Sequence, residues 1–292
     1  MPVLLLGLAI VAVVISCMVA GCGMAMPDNG DTGDRLDPDL PPITEGEWYR
    51  PRVDTTWHWQ LQPGDSGEIN TGYDVEVYDV DLFDVPDSLI TRLHAEGRRV
   101  ICYFSAGTCE NFRDDADQFQ AADLGYTLED YADERWLDIR SDNVHRIMLA
   151  RLDFAVDRGC DGVEPDNVDG YANDSGFDLT VDDQLAFNRF IANAAHERGV
   201  SVGLKNALDE VDELVDYFDF SVNEQCHEYD ECGLLQPFLD AGKPVFNAEY
   251  ADQFVDDAAE RQSMCSDAVD QGLQTLILPV ALDDSFRIVC TP

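Results

Sequence analysis

Acidic and amide side chains end several short apolar runs of this 292-residue sequence. One run ends in Glu164-Pro165-Asp166 and a later one ends in Asn223-Glu224. Two neighbouring carboxylic acids can hydrolyse a glycosidic bond, because one protonates the leaving oxygen while the other attacks the sugar or activates water. The pattern alone leaves open which of these acidic residues form the pair. Other side chains in equivalent positions could bind a sugar or stack on it; these candidates are Trp57, Trp59, Asp79, Asp81, Tyr103, Ser105, Glu164, Asp169, Lys205, Asn206, Glu249 and Tyr250.

Lys205 is one of only two lysines in the sequence, the other being Lys243. Inside an acidic pocket, its ammonium group would hydrogen-bond a carboxylate and keep it ionised at neutral pH, as a nucleophile requires. The alternative is a purely structural ion pair. Alternatives also remain for Asp79 and Asp169, which could cap helices, and for the two tryptophans Trp57 and Trp59, which could belong to the core.

A repeated unit places these side chains. It consists of an amphipathic stretch, a glycine and then a short apolar run, and its glycines are Gly97, Gly159, Gly199, Gly242 and Gly272. Glycine just beyond a helix adopts the left-handed conformation that ends it, and nearly continuous apolar runs are typical of buried parallel strands. The sequence Thr180-x-x-Asp183 predicts a capping box at the start of one helix. Alternating helices and strands predict an α/β fold.

Eight strands are predicted, and they are Thr55–Leu61, Val75–Phe83, Arg99–Ala106, Asp161–Val168, Val200–Asn206, Phe218–Gln225, Pro244–Tyr250 and Gln274–Pro279. Eight strands suit a single (β/α)8 TIM barrel, whose active site lies at the carboxyl ends of its strands. A doubly wound open sheet is the alternative, but the glycine fingerprint that usually accompanies it is missing from the sequence.

The amino terminus reads as a targeting segment. Residues 3–20 form an uncharged apolar run, long enough for a signal peptide or a membrane span. The run ends in Val19-Ala20-Gly21-Cys22, which resembles a lipobox with Cys22 as the lipidated residue; a signal anchor is the alternative. We therefore expect a signal peptide over 1–21, a disordered polar tether over 22–47 and the enzyme domain over 48–292. The protein would be a cell-surface or periplasmic lipoprotein, or otherwise secreted.

Cysteine usage fits export. Seven cysteines follow Cys22, so at least one thiol is unpaired. The spacing favours one disulfide between Cys226 and Cys232 and another between Cys265 and Cys290. Paired spacings typical of zinc sites are missing from the sequence, so we expect no metal and no other cofactor.

The charge balance limits the partners. With 59 Asp and Glu against 18 Lys and Arg, the formal net charge is -41. Such a field repels nucleic acid and anionic membranes and attracts cationic ligands. Membrane contact would then come only from the lipid anchor, and a tethered enzyme can work as a monomer. Adaptation to high salt, or solubility alone, is the alternative explanation for the charge.

Five segments at predicted strand ends carry a family resemblance: Ile101-Cys102-Tyr103-Phe104-Ser105-Ala106-Gly107, Asp161-Gly162-Val163-Glu164-Pro165-Asp166-Asn167-Val168-Asp169-Gly170-Tyr171, Gly203-Leu204-Lys205-Asn206, Asn223-Glu224-Gln225-Cys226 and Val245-Phe246-Asn247-Ala248-Glu249-Tyr250. They resemble motifs of glycoside hydrolase family 114, the endo-α-1,4-polygalactosaminidases, from about Trp57 to the end. The resemblance implies a retaining enzyme that cleaves within chains of α-1,4-linked galactosamine. It makes Asp166 the nucleophile and Glu224 the general acid/base.

The substrate implied by the family is cationic wherever galactosamine is not acetylated, which agrees with the acidic composition. We hypothesise that Asp79, Asp81, Asp169 and Glu249 include the groups that bind the amines. Two alternatives remain. One is an α-glycosidase of the same architecture acting on a neutral galactan, and the other is a cell-surface sugar-binding barrel without catalysis, because a fold alone does not establish an activity.

Overall fold

The computed structural model describes residues 36–291. Its strands, in chain order, are β1 (Trp57–Gln60), β2 (Val77–Asp81), β3 (Arg99–Ser105), β4 (Thr108–Glu110), β5 (Leu124–Leu128), β6 (Tyr131–Leu137), β7 (Gly162–Asp166), β8 (Ser201–Lys205), β9 (Phe220–Glu224), β10 (Val245–Glu249), β11 (Gln274–Ile277) and β12 (Ile288–Val289). Its α-helices are α1 (Asp87–Ala95), α2 (Asp142–Arg158), α3 (Val181–Glu197), α4 (Val211–Leu214), α5 (Gln236–Asp240), α6 (Asp252–Asp256) and α7 (Ala258–Gln271).

The main sheet has the strand order β1-β2-β3-β7-β8-β9-β10-β11-β12. Its first eight strands pair in parallel and are the eight strands predicted from the sequence. The sheet curls in the manner of a TIM-like barrel, and the indole N–H of Trp57 on β1 donates to the carbonyl of Gln274 on β11 at 2.8 Å. The α/β prediction is therefore confirmed.

The alternation of strand and helix is less regular than predicted. The connection from β1 to β2 contains no helix over residues 61–76, and α4 and α5 are only four and five residues long. The first connection carries Pro63, Gly64, Gly67 and Gly72. Proline and glycine disfavour helix interiors, and no apolar stripe compensates for them there.

Two cores lie on the two faces of the curled sheet. One fills its inside with large side chains, among them Trp57, Trp59, Phe220 and Phe246. The other lies between the sheet and the helices and includes Ile147 and Leu152 of α2. Side chains alternate between the faces along each strand. Because apolar side chains close the inside of the barrel, polar side chains are left at the carboxyl ends of the strands.

The predicted helix boundaries are confirmed where the signals were strongest. Thr180 and Asp183 form the capping box of α3, with each side chain bonded to the other residue's backbone N–H. The five glycines predicted after helices have φ between 73° and 85°. At Gly159 and Gly272, which cap α2 and α7 in the left-handed conformation, a side chain would be strained.

A three-stranded antiparallel sheet of order β4-β6-β5 is inserted between β3 and α2. This sheet was not predicted from the sequence. Its strands are largely exposed, with burial confined mainly to β4 and the end of β6, so they lack the apolar runs that identified the barrel strands.

The described part of the predicted tether, residues 36–47, contacts the domain. The Ile43 amide donates to Oδ1 of Asn193 on α3 at 2.8 Å, and Nδ2 of Asn193 donates to the Pro41 carbonyl at 2.9 Å. The Tyr217 hydroxyl donates to the Leu40 carbonyl at 2.6 Å. Leu36 also packs against the core, and Leu40 and Ile43 are half-buried, so the folded part of the chain extends before Trp48. The predicted signal peptide, Cys22 and the rest of the tether lie outside the described residues.

Three disulfides cross-link the described domain. The predicted pairs Cys226–Cys232 and Cys265–Cys290 are confirmed, and Cys102–Cys160 is a third. The unpaired thiol belongs to the buried Cys109. Within residues 36–291, no helix is long and apolar enough to cross a membrane.

Candidate active site

A cleft of about 1060 Å³ opens at the carboxyl ends of the parallel strands. Its walls come from strand ends of the barrel, from the inserted sheet and from the loop after β11. Eight of the candidates predicted from the sequence line it: Trp59, Asp81, Tyr103, Asp166, Asp169, Lys205, Asn206 and Glu224. The structure thus brings these eight side chains together in one cleft.

Lys205 lies between the two carboxylates expected to do the chemistry. Its Nζ is 2.9 Å from Oδ1 of Asp166 and 3.0 Å from Oε2 of Glu224. It is also 5.2 Å from the ring centre of Trp59, within the range of a cation–π contact. The Lys205 side chain is 4% exposed, against 18% for Asp166 and 25% for Glu224. The ammonium is therefore buried behind two carboxylates that face the cleft.

The opposite charges in this cluster stabilise each other's ionised forms. Burial lowers the pKa of Lys205, but the carboxylates of Asp166, Glu224 and Glu164 outweigh it, and the pKa stands well above its ordinary value. Burial raises the pKa of Glu224, yet the Lys205 charge and the hydrogen bonds to Glu224 leave it below its ordinary value. An ammonium beside a carboxylate favours both charged forms, so Lys205 and Glu224 are both charged at neutral pH.

Two further side chains hold Glu224 in place. The amide group of Asn206 donates from Nδ2 to Oε2 of Glu224 at 3.2 Å, and its Oδ1 accepts the Glu224 backbone N–H at 3.0 Å. The hydroxyl of Tyr250 donates to Oε1 at 2.5 Å. Each oxygen of the Glu224 carboxylate thus has a donor, which fixes its orientation at the cleft wall.

The backbone turns sharply straight after each of the three central residues. Asn167 follows Asp166 with φ 60°, Asn206 follows Lys205 with φ 49°, and Gln225 follows Glu224 with φ 61°. This left-handed region is uncommon for residues other than glycine, and asparagine tolerates it best. The strands therefore end at the reactive side chains, and Asn206 can reach back to Glu224.

Asp166 is fixed through its backbone. Its carbonyl accepts the N–H groups of Ala106 and Gly107 at 2.8 and 3.1 Å, and its Oδ1 accepts the Asn167 N–H at 2.7 Å. A Cβ on Gly107 would lie 1.7 Å from the Asn167 carbonyl oxygen, so this approach requires glycine. Ser105 does not line the cleft; its Oγ accepts from Nδ2 of Asn167 at 3.0 Å and thus supports the loop.

Residues 39–292 match the model of glycoside-hydrolase family GH114. The chain belongs to glycoside-hydrolase family GH114. It is accordingly a glycoside hydrolase, as predicted. No curated protein matches the sequence.

Two solved structures resemble this GH114 chain. Ega3 of Aspergillus fumigatus, solved in complex with galactosamine, is 43% identical, with a TM-score of 0.78 over 84% of this chain and 99% of that chain. The glycoside hydrolase domain of PelA from Pseudomonas aeruginosa is 13% identical, with a TM-score of 0.59 over 79% of this chain and 96% of that chain. The second similarity concerns the fold alone.

Several candidate residues of the GH114 chain lie elsewhere than expected. Glu249 is buried on the outer face of the sheet, where its Oε1 accepts from the His227 N–H at 2.9 Å and from Nδ2 of Asn247 at 3.0 Å. Trp57 packs in the inner core against Phe246. Neither residue lines the cleft, because Glu249 points away from the barrel and Trp57 lies too deep.

Four more of the predicted sugar-binding residues are not free to bind a sugar. Asp79 and Glu164 are fully buried below the cleft. Asp81 reaches the cleft wall, but its oxygens accept from NH2 and NH1 of Arg113 at 2.6 and 3.0 Å. Tyr250 lies behind Glu224 and contacts it rather than lining the cleft.

The inserted sheet supplies cleft residues that the sequence analysis missed. They include the exposed rings of Phe112 and Tyr131 and the carboxyl group of Glu134. Burial, together with nearby Glu110 and Asp166, raises the pKa of Glu134 to about 6, against a hydrogen bond from Thr108 that lowers it. In the sequence, this wall of the cleft is marked only by aromatic residues interspersed with acidic ones over residues 110–136.

A group of possible metal ligands lies beside the active site. Within the described residues, Cys226, His227 and Cys232 are close enough to share an ion. Both sulfur atoms are joined in a disulfide, however, and the thiolate form is the metal ligand. The group therefore does not fit a metal centre.

Proposed function

We propose that the protein is an endo-acting glycoside hydrolase that cleaves α-1,4-linked galactosamine polymers. The observation that carries this proposal is Lys205 held between Asp166 and Glu224 at the base of a cleft with acidic and aromatic walls. The similarity to Ega3, solved with galactosamine at 43% identity, supports the substrate class. An open cleft on a barrel suits a polymer that must enter along its length.

The mechanism we propose is retaining. Both carboxylate oxygens lie within 3.0 Å of one nitrogen, so these two oxygens can be no more than about 6 Å apart. This is close to the separation of about 5–5.5 Å in retaining enzymes and below the wider gap that admits water in inverting ones. Asp166 attacks the anomeric carbon while Glu224 protonates the departing oxygen. Glu224 then removes a proton from water, which attacks the same carbon and releases Asp166.

This mechanism sets the pH dependence of the first step. Glu224 must be protonated to act as an acid, but Lys205 and Tyr250 hold its pKa below the ordinary value. The protonated fraction therefore grows as the pH falls, and kcat/KM should rise from pH 8 towards mildly acidic pH.

Of the four carboxylates that the sequence suggested for amine binding, only Asp169 lines the cleft without a charged partner of its own. Asp169 lines the cleft, and burial and the Asp166 charge raise its pKa. Glu134 also lines the cleft, and its Oε2 accepts from Thr108 at 2.7 Å. An ammonium bound beside either group would favour its ionised form and be attracted to it. We infer that Asp169 and Glu134 contact substrate amines.

The deciding experiment compares the protein beginning at residue 36 with its Asp166→Asn, Glu224→Gln, Glu134→Gln and Glu249→Gln variants. Each is incubated with galactosamine polymers of graded acetylation, and products are followed by mass spectrometry. Internal cleavage that Asp166→Asn and Glu224→Gln abolish, and that Glu249→Gln retains, is expected. Glu134→Gln should reduce the preference for deacetylated polymer. Binding without cleavage by the unmodified protein would overturn the enzymatic proposal, and equal cleavage of a neutral galactan would overturn the substrate.

We also propose that the protein is exported. Three disulfides are typical of proteins that fold in oxidising compartments. The sequence adds a signal peptide over 1–21 and lipidation of Cys22, which would leave a monomeric enzyme tethered to a membrane. Expression of the full chain and of Cys22→Ala tests this point, since the variant should leave the membrane fraction while retaining its activity.

A further inference from the structure

Asp79 and Glu164 form a buried pair of carboxyl groups directly beneath Lys205. Both residues are 0% exposed, they lie on β2 and β7, which flank β3 in the sheet, and their carboxyl groups interact electrostatically. Oε1 of Glu164 is 3.8 Å from Nζ of Lys205. Within residues 36–291, none of the four carboxyl oxygens accepts a hydrogen bond from a residue outside the pair.

This arrangement is unfavourable for two carboxylates. An ionised carboxylate offers only acceptors, and burial without donors carries a large free-energy cost. The surrounding groups do not remove that cost. Tyr103 on β3, Asp166 on β7 and Tyr250 after β10 interact electrostatically with Glu164 and disfavour its charge. Within residues 36–291, the positive charge that favours the ionised forms of the pair is that of Lys205.

We propose that Asp79 and Glu164 share one proton and that the pair, with its single negative charge, positions the ammonium group of Lys205 beneath Asp166 and Glu224. A shared proton gives each carboxyl group a partner and leaves one charge, as in other paired carboxyl sites. Neither member of the pair lines the cleft, so both are positioning residues. This inference rests on the proposed function for its effect on catalysis, but not for the proton itself.

The shared proton makes a prediction for stability that requires no substrate. Burial raises the pKa of Asp79 from 3.8 to about 7 and raises that of Glu164 well above its ordinary value. The folded protein then holds a proton that the unfolded chain releases above its ordinary carboxyl pKa. Its contribution to stability is fully present below about pH 4 and is lost as the pH rises through about 7.

Amide variants separate a shared proton from other arrangements. Asp79→Asn and Glu164→Gln each replace the proton by an amide N–H and keep one negative charge, whereas the double variant removes that charge. Each single variant should lose less than about 5-fold in kcat/KM and the double variant more than about 50-fold, because coupled sites are not additive. Glu249→Gln, a buried carboxyl on the outer face of the sheet, is the matched control.

Thermal unfolding between pH 4 and 8 is measured for all of these proteins, together with the pH profile of kcat/KM. We expect the unmodified protein and Glu249→Gln to lose Tm as the pH rises through about 7, and all three amide variants of the pair to lose that dependence. Single variants as damaging as the double would overturn the shared proton, and a double variant with unmodified kcat/KM would overturn the positioning role. If no polymer is cleaved, the Tm series still decides the shared proton, so the two proposals fail separately.

Discussion

The hydroxyl group of Tyr250 donates a 2.5 Å hydrogen bond to Oε1 of Glu224. The other oxygen of that carboxylate is bonded to Lys205 and Asn206. All of these donors stabilise the ionised form of Glu224 and so lower its pKa, which makes protonation of the general acid less favourable. The acidity of Glu224 is therefore set by side chains that do not touch the sugar bond.

Removing the Tyr250 hydroxyl should raise the pKa of Glu224, because the Tyr250→Phe variant loses one of the hydrogen bonds that lower it. The alkaline limb of the kcat/KM profile should then move to higher pH by about 0.5–1 unit, with an activity loss near 10-fold from looser orientation. Tyr73→Phe is the control, since that hydroxyl donates to Asp284, away from the cleft. An alkaline limb at the same pH in both variants would contradict this account.

Lys205→Met should lower kcat by at least about 100-fold, because the two carboxylates would face each other without a cation in a buried site. Affinity for a cationic product should not fall, since the cleft becomes more negative. Calorimetric titration with galactosamine oligomers, beside single-turnover rates, separates the two effects. A weaker product affinity with an unchanged rate would show that Lys205 serves binding instead.

Lys243→Met is the matched control for that variant, because Lys243 is the only other lysine. Its ammonium donates to the carbonyls of Val215 and Phe218, and it does not line the cleft. Its loss should lower Tm and leave kcat unaltered. A fall in kcat as large as that of Lys205→Met would mean that general destabilisation explains both.

Much of the active site could be predicted from the sequence because parallel strands bring their carboxyl ends together. The motifs around Asp166, Lys205 and Glu224 each follow a continuous apolar run, and such runs identify buried strands without knowledge of the fold. The order of the eight strands then followed from the repeated unit. The repeated helix–strand unit therefore implied that Asp166, Lys205 and Glu224 lie close together.

Which face and what depth a strand-end residue occupies could not be predicted. Glu249 lies one residue away from the inward-facing Ala248, and a shift by one residue reverses the face. Asp79 faces inward but lies too deep to reach the cleft. Asp81 forms an ion pair with Arg113, which follows β4 in the inserted sheet. Because that sheet was not predicted, this ion pair could not be predicted either.

Substrate binding should weaken as salt is added. The cleft carries several carboxylates in a chain of formal net charge -41, and the field of exposed charges is screened within about 8 Å at physiological ionic strength. KM for deacetylated polymer should rise several-fold between 0.05 and 0.5 M NaCl, whereas kcat should change little, since the Lys205 cluster is buried. A parallel rise of KM for fully acetylated polymer would argue against charge as the cause.

Loss of the Cys102–Cys160 disulfide should affect stability most, whereas loss of the Cys226–Cys232 disulfide should affect activity most. Cys102–Cys160 spans 58 residues and Cys226–Cys232 only 6, so the longer loop constrains the unfolded chain more, by about 4 against about 2 kcal/mol. Double alanine variants of each pair should show that order in urea unfolding. Activity should show the reverse order, because Cys226 lies two residues after Glu224 and its bridge holds the turn that ends β9. If the longer bridge controlled both properties, the turn after Glu224 would be fixed without its disulfide.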